Sequence, residues 1–201
     1  MRSYPHQAVL YRPGESVQAA FLIQSGRVRL LREGRTGRQA VFAILRPGDL
    51  FGDLLRPEGA VADEAAVAAG EVTVHVLESR TLRSQLESDP ALALELVRAC
   101  ADQVRTLRAR VLGLTFREVP ARLAETLLAV AEAHGERCAH DGETDLRGIT
   151  QQDLADLVGA SRSFVSTLVN ELKRDGVLGN VGRVLCIRDQ KALRRLASAE
   201  A

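Results

Sequence analysis

Apolar positions in the first eighty residues fall in short runs. The runs at 20–23, 28–31 and 40–45 are separated by Ser25-Gly26, by the glycine-bounded stretch 34–37, and by Arg46-Pro47-Gly48-Asp49. Val72, Val74 and Val76 alternate with Thr73 and His75, the period of a strand with one face buried. Closely spaced strands joined by glycine turns predict an antiparallel sandwich or barrel. Pro47 presets φ, and Gly48 can take the positive φ of a type II turn.

From Thr81 the period becomes helical. In Ser88-Asp89-Pro90, Asp89 can cap free N–H groups, and Pro90 at the first helical position loses no needed donor. At 100° per residue Leu92, Leu96, Ala99, Gln103, Leu107 and Leu114 share one stripe. Leu94, Val97, Ala101 and Val104 form a second apolar face, and Glu95, Arg98, Asp102, Arg105 and Arg108 fill the rest. A helix apolar on two sides needs two partners. One expected partner is the β region, and the other is the same helix of a second copy, in a symmetric dimer with a coiled-coil-like seam. The alternative is an interior helix of a single globule. Gly113 interrupts the pattern, which predicts a joint between domains near 113–117. Three segments result: 1–87, a β region; 88–114, a dimerisation helix; and 115–201, a C-terminal domain.

Two short helices are expected in that last segment. Thr150 and Asp153 form a capping-box pattern, and Leu154, Leu157 and Val158 give an i, i+3, i+4 face. Gly159 stops the first helix, and Ser161 caps the next. In the second, Val165, Leu168, Val169 and Leu172 turn inward. Ser163, Ser166, Thr167, Asn170, Lys173 and Arg174 turn outward, with Arg162 at the edge. This is a helix-turn-helix pattern with a short-chained, basic outer face suited to a DNA major groove. Arg162, Ser163, Ser166 and Thr167 are the candidate base readers, and Ser161, Asn170, Lys173 and Arg183 the candidate phosphate contacts. Beyond Asp175-Gly176, the apolar pairs flanking Gly182-Arg183 predict a small hairpin or wing, with Arg183 at its tip. The alternative is a helix pair used only for packing.

Composition narrows the class. The 201 residues are 46% hydrophobic and 26% charged, too apolar for a disordered chain. No segment approaches about 18 consecutive apolar residues, so no membrane partner is expected. The net charge of +1 conceals a net −5 over 116–160 followed by +4 over 161–201. A basic C-terminal block fits contact with a polyanion. With no Trp and 3% aromatic residues, base stacking on single strands is disfavoured and duplex reading remains. The three cysteines, Cys100, Cys138 and Cys186, have no C-x-x-C spacing. Met1 to Leu10 lacks an apolar signal core, so a cytoplasmic protein is expected. No nucleophile elbow or phosphate loop supports an enzyme, and no cofactor is implied.

Taken in order, Phe21-Leu22-Ile23-Gln24-Ser25-Gly26-Arg27-Val28, the run Leu45-Arg46-Pro47-Gly48-Asp49-Leu50-Phe51-Gly52-Asp53, the long helix, and Ile149-Thr150-Gln151-Gln152-Asp153-Leu154-Ala155 through Ser161-Arg162 resemble the CRP/FNR family of bacterial transcription regulators. The resemblance covers nearly the whole chain. It implies an α+β fold: an N-terminal antiparallel β-roll of the cyclic-nucleotide-binding kind, a long dimerisation helix and a C-terminal winged helix-turn-helix. It further implies a homodimer on a two-fold symmetric operator with half-sites roughly 34 Å apart, and RNA polymerase as a partner. Arg162 matches the family's leading, guanine-reading arginine, whereas Ser163 and Thr167 stand where the best-known members have Glu and Arg. Members that bind cyclic AMP follow Phe-Gly-Glu, about ten residues on, with an Arg-Ser pair that holds the cyclic phosphate. Here Gly52-Asp53 is followed by Asp63 and Glu64, whose charge repels a phosphate. The chain is therefore expected to act without effector, or with a ligand other than cyclic AMP. Asp53 and Glu64 are read as solvated loop residues. An alternative is a metal- or redox-responsive regulator sensing through His134, Cys138 and His140, or through Cys100.

Overall fold

The computed structural model describes residues 1–34, 37, 39–54, 60–137, 144–182 and 184–199. The chain forms two compact units, Met1–Leu107 and Arg108–Ala201.

Among the described residues the first unit holds eight strands, β1 (Arg2–Tyr4), β2 (Val9–Tyr11), β3 (Ala19–Ser25), β4 (Val28–Glu33), β5 (Gln39–Leu45), β6 (Leu50–Gly52), β7 (Ala65–Ala68) and β8 (Val72–Glu78). They pair antiparallel in two four-stranded sheets, β1-β8-β3-β6 and β2-β7-β4-β5. Val72 and Val74 are buried and Thr73 between them is half-buried, as the alternation requires, whereas Val76 is half-buried like His75 before it. Between β5 and β6 the Asp49 N–H donates to the Arg46 carbonyl at 3.0 Å, and Gly48 sits at φ 93°, the predicted tight turn. Ile23, Val28, Leu45, Val72 and Val74 fill the core with three packed rings, Tyr11, Phe21 and Phe51.

Two helices follow, α1 (Ser79–Ser88) and α2 (Pro90–Phe116). Asp89 separates them as anticipated, its carboxylate accepting from the N–H groups of Ala91 and Leu92. Two expectations for α2 are corrected. Gly113 does not interrupt it: the helix continues to Phe116, because one glycine costs only about 1 kcal/mol in a helix interior and its neighbours are good helix formers. The break comes at Glu118, held extended ahead of Val119 and Pro120. Nor does the helix bury one face on the β region. Past Leu96 every residue through Ala109 is exposed, because its larger apolar side chains lie on a stripe of their own.

The second unit contains the end of α2, then α3 (Val119–His134), β9 (Glu136–Arg137), β10 (Thr144–Leu146), α4 (Gln151–Val158), α5 (Arg162–Arg174), β11 (Leu178–Val181), β12 (Val184–Ile187) and α6 (Gln190–Ala197). The strands form one antiparallel sheet, β11-β12-β10-β9. Leu123, Leu127, Leu154, Val158, Val165, Val169, Ile187 and Leu193 make a single apolar core beneath the helices. Burying each Leu, Ile or Val side chain contributes about 1.5–3 kcal/mol, so this core can hold α4 and α5 in fixed register.

Candidate nucleic-acid interface

Local chemistry sets the bend between α4 and α5. The Thr150 hydroxyl accepts from the Asp153 N–H at 3.1 Å while the Asp153 carboxylate accepts from the Thr150 N–H at 2.8 Å, the reciprocal cap foreseen from the spacing. Gly159 takes φ 72°, ψ 42°, the left-handed residue that ends α4. Ser161 caps α5 by accepting from the Phe164 N–H at 3.2 Å. Alanine at position 159 meets both a left-handed backbone and Leu114, whose Cδ2 would lie 2.7 Å from the new Cβ. Gly159→Ala is expected to lower stability by about 1–2 kcal/mol in denaturant unfolding; an unchanged midpoint would show the turn to be adaptable.

With Val165 and Val169 turned into the core, α5 presents Arg162, Ser163, Phe164, Thr167, Asn170 and Arg174 to solvent. Ser166 and Lys173 are half-buried on the Arg162 flank. Two hydroxyls already have partners: Ser163 Oγ lies 3.1 Å from Ser161 Oγ, and Thr167 Oγ1 donates to the Ser163 carbonyl at 3.1 Å. Thr167 thus donates its proton inside the helix, and its exposed hydroxyl oxygen keeps its capacity to accept. A Thr or Ser on a helix bonds back one turn readily, which outward position alone does not reveal. Arg183 at the wing tip lies outside the described residues.

Sequence spacing also missed two arginines that hold the end of α4. Arg110 Nη2 donates to the Asp156 carbonyl at 2.8 Å, and Arg122 Nε to the Val158 carbonyl at 3.1 Å. Carbonyls of a helix's last turn have no partner within it, and the negative end of the dipole favours a cation there. Burial lowers the Arg110 pKa below the usual arginine value, and the charge of Asp156 works in the opposite direction.

Along α2, the residues of the expected seam divide. Leu92 and Leu96 are half-buried, and Ala99, Gln103, Leu107 and Leu114 are exposed. Five of the large exposed apolar side chains of α2 trace another stripe, Val97, Val104, Leu107, Val111 and Leu114, while Leu94, Leu112 and Phe116 lie off it. With exposed Cys100 the five alternate steps of three and four residues, the a and d positions of a heptad. Only Leu107 and Leu114 belong to both stripes. Valine at a and leucine at d is the combination that favours two parallel strands.

In the β unit the acidic residues are bonded rather than simply solvated, which corrects the reading of Asp53 and Glu64 as free loop residues. Ser79 Oγ donates to the half-buried Asp53 carboxylate at 2.6 Å, and Tyr11 Oη to the half-buried Glu64 at 3.1 Å. Both donors come from distant parts of the chain, so local sequence did not announce them. Asp63 is exposed and lies 3.5 Å from Arg32. Gly52, the last residue of β6, takes φ 90°, and a Cβ there would lie 2.7 Å from the Ala19 carbonyl. Cys138 and His140 lie outside the described residues, as does the side chain of His134; Cys100 is exposed and Cys186 buried.

A double-sheet β unit followed by a long helix and a winged helix-turn-helix defines a two-domain regulator with a DNA-binding module at its C-terminal end. Residues 1–89 match the model of the cyclic nucleotide-binding domain, and residues 121–196 that of the Crp-like helix-turn-helix domain. The chain thus joins a cyclic nucleotide-binding domain to a Crp-like helix-turn-helix domain, and the relatives it resembles are CRP-like transcription regulators. It is 28% identical over 200 residues to the CRP-like cAMP-activated global transcriptional regulator of Mycobacterium tuberculosis, covering 96% of this chain and 86% of that one. To the cyclic AMP receptor protein of Thermus thermophilus it is 28% identical, covering 98% of this chain and 87% of that one. Among solved structures, TTHB099, a CRP-family regulator from Thermus thermophilus, superposes with a TM-score of 0.84 at 26% identity, covering 100% of this chain and 98% of that one. FixK2 of Bradyrhizobium japonicum gives 0.84 at 25% identity with the same coverage. No helix among the described residues is long and apolar enough to cross a membrane.

Proposed function

We propose that this chain is a cytoplasmic, homodimeric, sequence-specific regulator of transcription that reads a two-fold symmetric duplex operator without cyclic AMP. The observation that carries the reading is α5: capped by Ser161, seated on the core by Val165 and Val169, and showing an exposed face led by Arg162. Among the described residues the Arg162 guanidinium has no hydrogen bond or ion pair, so its planar donors are available to a guanine edge. Ser163 and Ser166 sit beside it as further base contacts, while Ser161, Asn170, Lys173 and Arg183 serve the phosphates. A dimer through α2 presents two such helices to successive major-groove faces about 34 Å apart. RNA polymerase is the further partner that the family resemblance implies.

Independence from cyclic AMP is supported by the acidic side chains Asp53, Asp63 and Glu64, which accept hydrogen bonds or pair with arginine where a cyclic phosphate would need donors. Selection of DNA from a random pool by the purified, ligand-free protein is expected to enrich a palindromic operator, with no gain on adding cyclic AMP. Enrichment only in the presence of cyclic AMP would overturn effector independence, and none under either condition would overturn the DNA-binding reading.

The dimer has its own reporter. In a parallel, in-register pair, equal d positions face one another, so the two Cys100 thiols come within reach of a disulfide, which needs Cα atoms about 4.4–6.8 Å apart. Mild oxidation of the Cys138→Ser protein is expected to give a covalent dimer that disappears with Cys100→Ser. Absence of the cross-link would count against this register. Loss or gain of operator affinity on cross-linking would decide the redox-responsive alternative for Cys100.

A further inference from the structure

Phe164 stands in the first turn of α5 with 45% of its surface exposed, although its ring takes no part in the core beneath that helix. Tyr11, Phe21 and Phe51, by contrast, are buried together in the β unit. Fold stability does not call for an exposed ring here. Its backbone N–H supplies the bond to Ser161, and any residue but proline would do the same. Three residues on, Thr167 donates its hydroxyl inward to the Ser163 carbonyl. A threonine that bonds back in this way leaves its γ-methyl on the outer side. Side chains at i and i+3 are neighbours, with Cβ atoms roughly 5–6 Å apart, so the ring and the methyl form one small apolar patch beside Ser163. That patch lies in the N-terminal part of the helix expected to meet base edges. In the major groove one base offers an apolar partner, thymine, through its C5-methyl group.

We propose that Phe164 is a specificity-determining residue that, with the Thr167 methyl, selects thymine by contact with its C5-methyl group. The inference rests on the DNA-binding reading above. A guanine-reading Arg162 and a thymine-reading Phe164 lie two residues apart on one turn, so each half-site is expected to join a guanine and a thymine within a few base pairs. Hydroxyl readers alone would leave the second position degenerate, since a hydroxyl both donates and accepts.

Deoxyuridine tests this directly, because it differs from thymidine only by the missing methyl group. The operator selected by the full-length protein is resynthesised with deoxyuridine replacing each thymidine in turn, symmetrically in both half-sites. At one position the wild-type protein is expected to bind about 15-fold more weakly, from a loss of about fourfold per buried methyl in each half-site. Phe164→Ala, at an exposed position, is expected to bind the thymidine and deoxyuridine operators within twofold of each other. Thr167→Ser, which keeps the hydroxyl and removes the methyl, should lose part of the discrimination. The proposal is overturned if the wild-type protein tolerates deoxyuridine everywhere, or if Phe164→Ala keeps the full penalty. A motif enriched without any deoxyuridine effect sinks this inference alone, whereas no enriched motif sinks the DNA-binding reading and this inference with it.

Discussion

Val104→Glu is expected to turn the dimer into monomers while leaving the chain folded. Val104 sits in the middle of the exposed Val97, Cys100, Val104, Leu107, Val111, Leu114 stripe, at an a position. In a parallel pair two carboxylates would face each other inside the seam, each without a partner. An uncompensated buried charge costs about 3–5 kcal/mol, so the dimer dissociation constant should rise at least about 10²-fold. Within a single chain the side chain is already exposed, so helix content and unfolding of the isolated chain should change little. Operator binding should fall with the dimer, since a monomer engages one half-site. Sedimentation equilibrium and gel shifts over a concentration series are the measurements. A stable dimer of the variant would place the interface elsewhere, for example on the stripe that includes Leu92, Leu96, Ala99 and Gln103.

Arg162→Ala should be the most damaging single change on the reading face. Removing a bidentate arginine from a guanine costs about 1–3 kcal/mol per half-site, or about 2–6 kcal/mol for the dimer, and relaxes preference at one base pair. Arg162→Lys keeps the charge and loses the planar fork, so it should restore nonspecific affinity but not discrimination. Lys173→Ala should instead weaken all sequences alike and reduce the salt slope. If Arg162→Ala retained full discrimination in a binding-site selection, the guanine assignment would fall.

How far the chain announces its structure depends on the range of the interactions. The Arg46–Asp49 turn, the alternation through Val72 and Val74, the Asp89 cap and the Thr150–Asp153 box are all local. The turn and the two caps were legible because the residues that bond lie within four positions of one another, and the strand because its period of two is carried by the segment itself. The partners that escaped are remote in sequence: Tyr11 and Glu64 are 53 residues apart, Arg110 and Asp156 46, and Arg122 and Val158 36. The exposed α2 stripe draws on both apolar faces read from the sequence, Leu107 and Leu114 from one and Val97 and Val104 from the other. A wheel drawn at 100° per residue drifts about 20° per heptad from a 3.5-residue repeat, so a seam several heptads long smears across two faces. Phe164 escaped because sorting by polarity picks out the polar residues of an outer face and passes over an exposed ring. The reversed hydroxyl of Thr167 follows from side-chain rotation, on which spacing is silent.

The division between the compact units falls between Leu107 and Arg108, inside an unbroken helix. The last turns of that helix are stitched to α4: Arg110 bonds the Asp156 carbonyl, and Leu114 lies against Gly159. Consequently the last turns of α2 belong with α4 as one packed piece of the second unit. Twisting these turns about their own axis must either carry α4 along or break a charge-assisted hydrogen bond and a close contact.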